Sequence, residues 1–367
     1  MKNHSHTMNS IKVILLCPIS LLVAYFASLN PSFSEWYAVN VYPLISKSIN
    51  SLTAKVDFSI AEIVFVSFAA IILLYTLYTI IKLFFGEKRL RRLFDFVLNL
   101  GAIASIVCFV FVFFCGINYH RLTFTEVSGL EVKDSSVQEL YFLCNSLADN
   151  VNSIRDSLIE DEKGVSKTVL SMDDLSKKCK EAYDTLESEY PTLISGYSVS
   201  KPVYFSEAMS YTGITGIFFP FTYEANVNVD IPVFSIPSTI CHELTHLRGY
   251  MREDEANFIA YLACKASDEP FIQYSGCILA LTHSINRLYG EDTDLYYEIY
   301  DKLSDKVKSD LRFSNSYWAA HEGVVEEISD KVNDVYLKVN QQNDGVKSYG
   351  RMVDLLLAEL RKDAVSE

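Results

Sequence analysis

The chain has few basic residues for its size and very few histidines. Its 32 Lys and Arg stand against 46 Asp and Glu, a formal net charge of −14, and 7 of its 367 residues are His. Binding to a phosphate backbone requires concentrated positive charge, so we exclude nucleic acid as a partner. None of the 8 Cys lies in a CxxC pair, and this spacing excludes a zinc knuckle or a disulfide-stapled scaffold.

Three long apolar runs dominate the first third of the sequence, at about residues 13–29, 58–81 and 96–117. Each approaches the roughly 20 residues that cross a bilayer as a helix. The first run contains Pro18 and follows a basic start, so it could be a signal peptide. Two further runs after it favour an uncleaved anchor. We therefore predict a multi-pass protein of the bacterial cell membrane, with the lipid bilayer as a partner.

Basic residues cluster between the second and third runs. The cluster consists of Lys82, Lys88, Arg89, Arg91 and Arg92. Since positively charged loops stay in the cytoplasm, the N-terminus should be cytoplasmic and the connection at residues 30–57 should lie outside. Residues 1–118 would then form a transmembrane anchor region. Residues 119–367, which hold the acidic excess, would form an extracytoplasmic domain.

A His-Glu-x-x-His motif is present at His242, Glu243 and His246. Residues four apart share one face of a helix, so both imidazoles can reach a single metal ion. The glutamate beside the first ligand can hold a water molecule that the metal activates. Pro237 is typical of a helix start and Gly249 of a helix end, and the apolar residues between them predict a half-buried helix. These features favour a metal site over two unrelated histidines on a surface helix.

A catalytic zinc ion takes three protein ligands and keeps a fourth position open. The segment after Gly249 predicts a second helix with an acidic first turn, at Glu253, Asp254 and Glu255. A short turn would fold this helix back against the first, so Glu253 or Glu255 could complete a His-His-Glu set. The alternative is that these acids only complement the positive end of the helix dipole.

The order His-Glu-x-x-His followed by Glu-x-x-Ala-Asn resembles the gluzincin metallopeptidases. The resemblance implies a gluzincin-like zinc-peptidase domain that holds one Zn2+ ion. It implies Glu253 as the third zinc ligand, with Glu255 in reserve, and Glu243 as the general base. Asn257, four residues after Glu253, would occupy the position that supports a ligand.

The chain is also similar, over most of its length, to an uncharacterised family of bacterial membrane proteins that contains this motif. The further segments that carry the similarity are residues 211–216, 219–228, 336–338 and 344–350. The similarity implies a membrane-anchored metallopeptidase and supplies no substrate. It favours Tyr349 as the residue that stabilises the oxyanion of the reaction. The other candidates for this role are His283, His321, Tyr317, Tyr336 and Arg351.

The remaining pattern predicts a mainly helical α+β domain with one small sheet. Apolar residues recur at helical spacing on both sides of residues 201–232, which are rich in Tyr, Phe, Val, Gly and Pro and predict short strands. A strand at residues 219–229 would flank the metal helix as a sheet edge that pairs with extended substrate. Glu224, Asn226 and Asn228 share one face of that strand. They would line the substrate cleft or, alternatively, fix the local turn geometry.

Together these features predict a membrane-anchored zinc metallopeptidase that hydrolyses peptides or proteins of the cell envelope, outside the cytoplasm. Two alternatives stay open. One is hydrolysis of cell-wall amide bonds by the same chemistry, and the other is a non-catalytic zinc-binding sensor or scaffold of the cell envelope. The short cytoplasmic segments leave no room for an effector domain, which disfavours the sensor.

Overall fold

Three long apolar helices form the N-terminal part of the structure, a computed structural model that describes residues 10–340 and 351–366. The segments long and apolar enough to cross a membrane are Ser10–Leu29, which includes helix α1 (Leu16–Leu29), Ile60–Phe85 (α4) and Arg89–Phe114 (α5). Most of their apolar side chains are exposed, and apolar surface of this extent suits lipid rather than water. The three predicted apolar helices are confirmed and suggest insertion in a membrane. The third begins earlier than predicted, because the basic residues from Arg89 onward form its first turn.

The connection between the first two spans is also helical. It contains α2 (Pro31–Asn40) and α3 (Tyr42–Thr53), each with a proline in its first turn. Proline is tolerated there because the first helical N–H groups have no intrahelical partner. Asn50 of α3 donates to the Tyr223 carbonyl at 2.8 Å. This connection is therefore packed against the second half of the chain.

The rest of the described chain is mainly helical. The helices are α6 (Phe124–Ser128), α7 (Val137–Ser157), α8 (Met172–Leu186), α9 (Ser206–Ser210), α10 (Ile236–Leu247), α11 (Glu253–Ala266), α12 (Pro270–Glu291), α13 (Thr293–Lys302), α14 (Asp305–Ala319), α15 (Val324–Val339) and α16 (Met352–Ser366). Helices α7, α12, α11 and α10 pack against one another in that order, and α8 packs on α10 and α11. Burial of their apolar faces forms one continuous core. Helix α10 lies between these helices and the sheet.

The described residues contain a three-stranded sheet with the order β1-β3-β2. Its strands are β1 (Lys201–Pro202), β2 (Gly216–Phe219) and β3 (Glu224–Val227). β1 is parallel to β3 and β2 is antiparallel to it. β3 is therefore the central strand, and the expectation that residues 219–229 supply the sheet edge is wrong, because β1 covers the second side of β3. The prediction of a mainly helical α+β domain with one small sheet is confirmed.

Candidate metal centre

Helix α10 carries the His-Glu-x-x-His motif through the interior of the domain. A 3-10 turn at Val233–Ser235 leads into it, and Pro237 lies in its first turn, as the sequence predicts. The helix is buried on nearly every side rather than along one stripe. The reason is that α8, α11, β2 and β3 all pack around it. The polar residues of the motif consequently lie inside the fold, where their charge and hydrogen bonding matter most.

The turn after α10 requires glycine. Gly249 has φ +89°, and a Cβ there would lie 2.9 Å from Asn118 Nδ2 and 3.2 Å from Tyr42 Cε1. Both the left-handed conformation and these contacts exclude a side chain. The Tyr42 hydroxyl donates to the Leu247 carbonyl at 3.2 Å, which satisfies one of the last carbonyls of α10. The turn brings the start of α11 back beside the two histidines.

His242, His246 and Glu253 converge on one point. The two Nε2 atoms lie 3.0 Å apart, and Glu253 Oε2 lies 3.1 Å from His242 Nε2 and 3.6 Å from His246 Nε2. An ion held tetrahedrally at about 2.0–2.1 Å separates its ligand atoms by roughly 3.3–3.4 Å. The observed distances fall on either side of that value, so the three groups could hold one small metal ion.

A second polar atom orients each imidazole. His242 Nδ1 lies 2.8 Å from Asn257 Oδ1, and His246 Nδ1 lies 2.7 Å from the Tyr250 carbonyl oxygen. Both partners are acceptors, so each Nδ1 carries a proton and each Nε2 points to the common point, where its lone pair can bind a metal ion once any proton on it is lost. Asn257 follows Glu253 by one turn of α11. One helix therefore supplies a candidate ligand and the support of another.

The candidate ligands form a tightly coupled charge cluster. Burial lowers the pKa of His246, but the Glu253 carboxylate more than offsets this effect and raises it to about 9. Burial acts in the opposite direction on Glu253, and the two imidazoles hold the pKa of its carboxyl far below the usual range. The metal-free site thus keeps a proton on His246 at neutral pH. A cation bound at the common point would replace that proton.

The Glu243 carboxylate is buried beside the candidate ligands and faces β2. It is 3% exposed, and its Oε2 has no hydrogen-bond partner among residues 10–340 and 351–366. Burial raises the pKa of Glu243, although the two imidazoles and the Phe218 N–H oppose the shift. Gly216 of β2 makes room for this side chain, since a Cβ there would lie 2.6 Å from Glu243 Oε1. A buried carboxylate with an unpaired oxygen is suited to accept a proton.

The two glutamates that the sequence offers as the third ligand have different partners. Glu253 points to the histidines. Glu255 accepts from the Phe124 N–H at 2.8 Å and from Arg252 at 3.0 Å. The reserve ligand Glu255 therefore holds the start of α6 in place and does not belong to the grouped side chains.

Residues 37–357 match the family described as "Protein of unknown function (DUF3810)". The chain belongs to this family. The match runs from α2 into α16 and includes α3, α4, α5 and the whole candidate metal centre. The predicted membership of an uncharacterised family is confirmed. No curated protein and no solved structure matches the chain.

In this DUF3810 chain, Glu224, Asn226 and Asn228 are buried away from the candidate ligands. Glu224 accepts from the Ala61 N–H at 2.7 Å and from the Lys201 ammonium at 2.6 Å. Asn226 bonds to the residue before α4, and Asn228 bonds to the loop before β2. These positions correct the cleft assignment. Glu224 and Asn226 meet the start of α4, whereas Asn228 follows the end of β3 and meets the loop before β2.

Two of the candidate oxyanion residues lie near the candidate ligands. Burial lowers the pKa of His283 to about 4, with a contribution from the nearby His242. Burial raises the pKa of Tyr336, and the Glu253 carboxylate adds to this shift. Tyr349, which the family resemblance favours, lies outside the described residues.

The remaining candidates bond elsewhere. Tyr317 donates to Ser210 at 2.6 Å, and its ring packs on that of His321 with centroids 4.4 Å apart. Arg351 pairs with Asp254 at 3.4 Å. These contacts assign the three residues to packing around α9, α11 and α14.

Sequence reasoning missed Gly216 and Tyr42, which shape the site from outside the motif. Gly216 closes a segment that the family resemblance singled out, but its approach to Glu243 depends on how β2 docks on α10. Tyr42 lies 204 positions before His246, to whose carbonyl its hydroxyl is 3.4 Å away. No local pattern in one sequence marks a contact of that separation.

Proposed function

We propose that this DUF3810 protein is a membrane-anchored zinc metallopeptidase of the gluzincin type. One observation carries the proposal: three ligand atoms converge beside a buried glutamate with an unpaired oxygen. Two histidines and one carboxylate form a donor set of catalytic zinc, which keeps one position open. A structural zinc site would instead fill its fourth position with Cys or His.

The residues around the ligands supply the rest of the chemistry. Bound zinc would supply a Lewis acid that activates water and polarises a peptide carbonyl. Glu243 accepts the proton of the attacking water and passes it to the amine that leaves. Its raised pKa suits a group that must both accept and donate a proton near neutral pH. Asn257 and the Tyr250 carbonyl keep His242 and His246 in the tautomer that binds metal.

The edge strand β2 supports an extended peptide as the substrate. The Asn228 N–H donates to the Thr215 carbonyl at 2.9 Å, so alternate residues of this segment turn their backbone groups toward β3. Gly216 and Phe218 must turn theirs to the open edge. That edge lies beside Glu243. The Phe218 N–H already bonds Glu243, so an added strand would use the other backbone groups of this edge, without needing particular side chains.

We also place the site outside the cytoplasm. The Tyr223 hydroxyl donates to the Phe114 carbonyl at 3.0 Å, at the C-terminal end of α5, and Glu224 binds the N-terminal end of α4. The basic link between these two helices lies at their opposite ends. Because positive links stay in the cytoplasm, the domain falls on the other side.

The test uses the full chain in lipid nanodiscs, as wild type, as Glu243→Gln and as Glu181→Gln, an exposed glutamate of α8. Metal content and hydrolysis of a broad peptide library are measured for all three. One zinc per chain throughout, with cleavage lost only in Glu243→Gln, is the expected result. Cleavage of cell-wall peptides alone would support the proposed zinc chemistry and would replace proteins by cell-wall amides as the substrate. Zinc without any cleavage would favour a sensor or scaffold, and a wild type without zinc would refute the proposal.

A further inference from the structure

Helix α15 exposes an apolar stripe on the side that faces away from the rest of the protein. Five of its aliphatic side chains are between 57 and 71% exposed: Val324, Val325, Ile328, Val332 and Val335. Their spacing places them on one side of the helix, over about 16 Å. The opposite side carries buried Leu337 and half-buried Asn333. A stripe of this size turned away from the core marks an interaction surface.

The C-terminal end of α15 lies against a membrane span. The Tyr336 ring meets that of Phe111 edge-on, with centroids 6.3 Å apart, and its hydroxyl lies 2.7 Å from that of Tyr119. Phe111 is one turn from the end of α5, and Tyr119 follows that end directly. This end of α15 is therefore at the level where α5 leaves the bilayer.

The N-terminal end of α15 lies near the other span of the same pair. A Cβ on Gly213 would lie 3.6 Å from Glu326 Cγ, and Gly213 is one short helix, α9, away from Phe205. The Phe205 N–H donates to Glu62, in the first turn of α4, at 2.8 Å. Spans α4 and α5 pack against each other, so the start of α4 and the end of α5 lie on the same side of the membrane. Helix α15 thus extends from the end of α5 to the start of α4, roughly parallel to the membrane surface.

Other exposed apolar side chains lie at the same level. Tyr204 and Phe205 flank the first turn of α4, and Tyr204 is 86% exposed. Trp36 and Leu44, in the helices that follow α1, are also exposed. Aromatic side chains concentrate where a protein crosses the boundary between lipid and water. Several elements therefore present apolar groups at the height of the α15 stripe.

We propose that α15 is an interfacial helix whose apolar stripe inserts into the headgroup–acyl boundary of the leaflet on the side of this domain. Lipid is favoured over a second protein because the stripe is continuous, through Tyr336 and Phe111, with a membrane span. The polar side of α15 carries more acidic than basic residues, namely Glu326, Glu327, Asp330 and Asp334 against Lys331 and Lys338. Insertion therefore depends on apolar burial and needs no anionic lipid.

Depth-dependent fluorescence quenching tests this assignment on the full chain in nanodiscs. Single cysteines replace Val332 or Val325 in the stripe, and Asp330 on the polar side of the same helix. An environment-sensitive fluorophore is attached to each, and wild type labelled in parallel measures the background from native cysteines. Lipids that carry a quencher near the headgroup are then compared with the same lipids without it.

The stripe positions should lose emission by about twofold or more in quencher lipids, while the Asp330→Cys label stays unquenched. The same contrast should hold in neutral and anionic nanodiscs. Equal quenching at all positions, or none at the stripe, would overturn the proposal. The proposal would also be overturned if lipid quenchers did not reach a stripe label that is nevertheless shielded from water, and if that shielding were lost on dilution of the protein. This result would identify a second copy of the chain as the occupant.

Discussion

Replacement of Asn257 by alanine should weaken metal binding without unfolding the chain. Asn257 Oδ1 accepts from His242 Nδ1 at 2.8 Å, and the side chain is buried on α11. Its removal leaves the imidazole free to rotate and its Nδ1–H without a partner. Loss of such a supporting contact typically weakens metal affinity about 10- to 100-fold, or roughly 1.4–2.7 kcal/mol. Competition of the full chain with a fluorescent zinc chelator at neutral pH measures the change.

Two further variants separate ligand support from general stability. Asn257→Asp keeps an acceptor on His242 and should retain or increase the affinity, since a carboxylate makes the imidazole a stronger donor to metal. Asn50→Ala removes a buried asparagine that bonds the Tyr223 carbonyl and should lower the melting temperature with unchanged affinity. Wild-type affinity in Asn257→Ala, or an equal loss in Asn50→Ala, would refute the reasoning.

The other predictions concern protons and glycines. Metal binding at neutral pH should release about one proton per ion, because the metal-free pKa of His246 is about 9; calorimetry in two buffers with different ionisation enthalpies counts it, and a count near zero contradicts the prediction. Since that pKa lies above the value of about 6.5 for an unfolded histidine, the proton stabilises the metal-free fold fully below about pH 6.5 and this contribution is lost as the pH rises through about 9. Gly216→Ala should retain metal but lose most cleavage, because its Cβ would displace the Glu243 carboxylate; wild-type turnover would exclude the assigned position of that carboxylate. Gly249→Ala should lower the free energy of unfolding by roughly 1–3 kcal/mol in a denaturant titration, since its φ is +89°; an unchanged midpoint would show that the turn accommodates a side chain.

The parts of the site that the sequence predicts are those set by short spacing. His242 and His246 share one face of a helix whether or not that helix is buried, and Gly249 predicts a turn regardless of where the helix packs. Glu253 could be named because only a turn separates it from the first helix. Between Glu253 and Glu255, residue spacing alone gave no decision. The structure places Glu255 on the Phe124 N–H, 131 positions earlier in the chain.

The parts that could not be predicted depend on contacts between distant segments. Alternation along the strand correctly places Glu224 and Asn226 on one face, but not what that face meets. Its partners are Ala61 and Ser59, more than 160 positions away. The burial of α10 on nearly every side has the same origin, because α8 and β2 precede it in the chain while α11 and α12 follow it. A periodic pattern predicts which residues share a face of a helix or strand, but not which element packs against that face.

The N-terminal helices and the candidate metal centre form one structural unit. The carbonyl of Leu247, at the end of α10, is satisfied by Tyr42, the Glu224 carboxylate by the first turn of α4, and Arg121 by Glu35 at 2.7 Å. Each of these contacts joins a residue on one side of the predicted boundary between residues 118 and 119 to a residue on the other side. An unsatisfied buried polar group costs about 1–3 kcal/mol, and more when it is charged. Loss of these partners together would consume much of the roughly 5–15 kcal/mol that stabilises a typical domain. The N-terminal helices therefore complete the fold around the candidate ligands, which is why each experiment above keeps the whole chain.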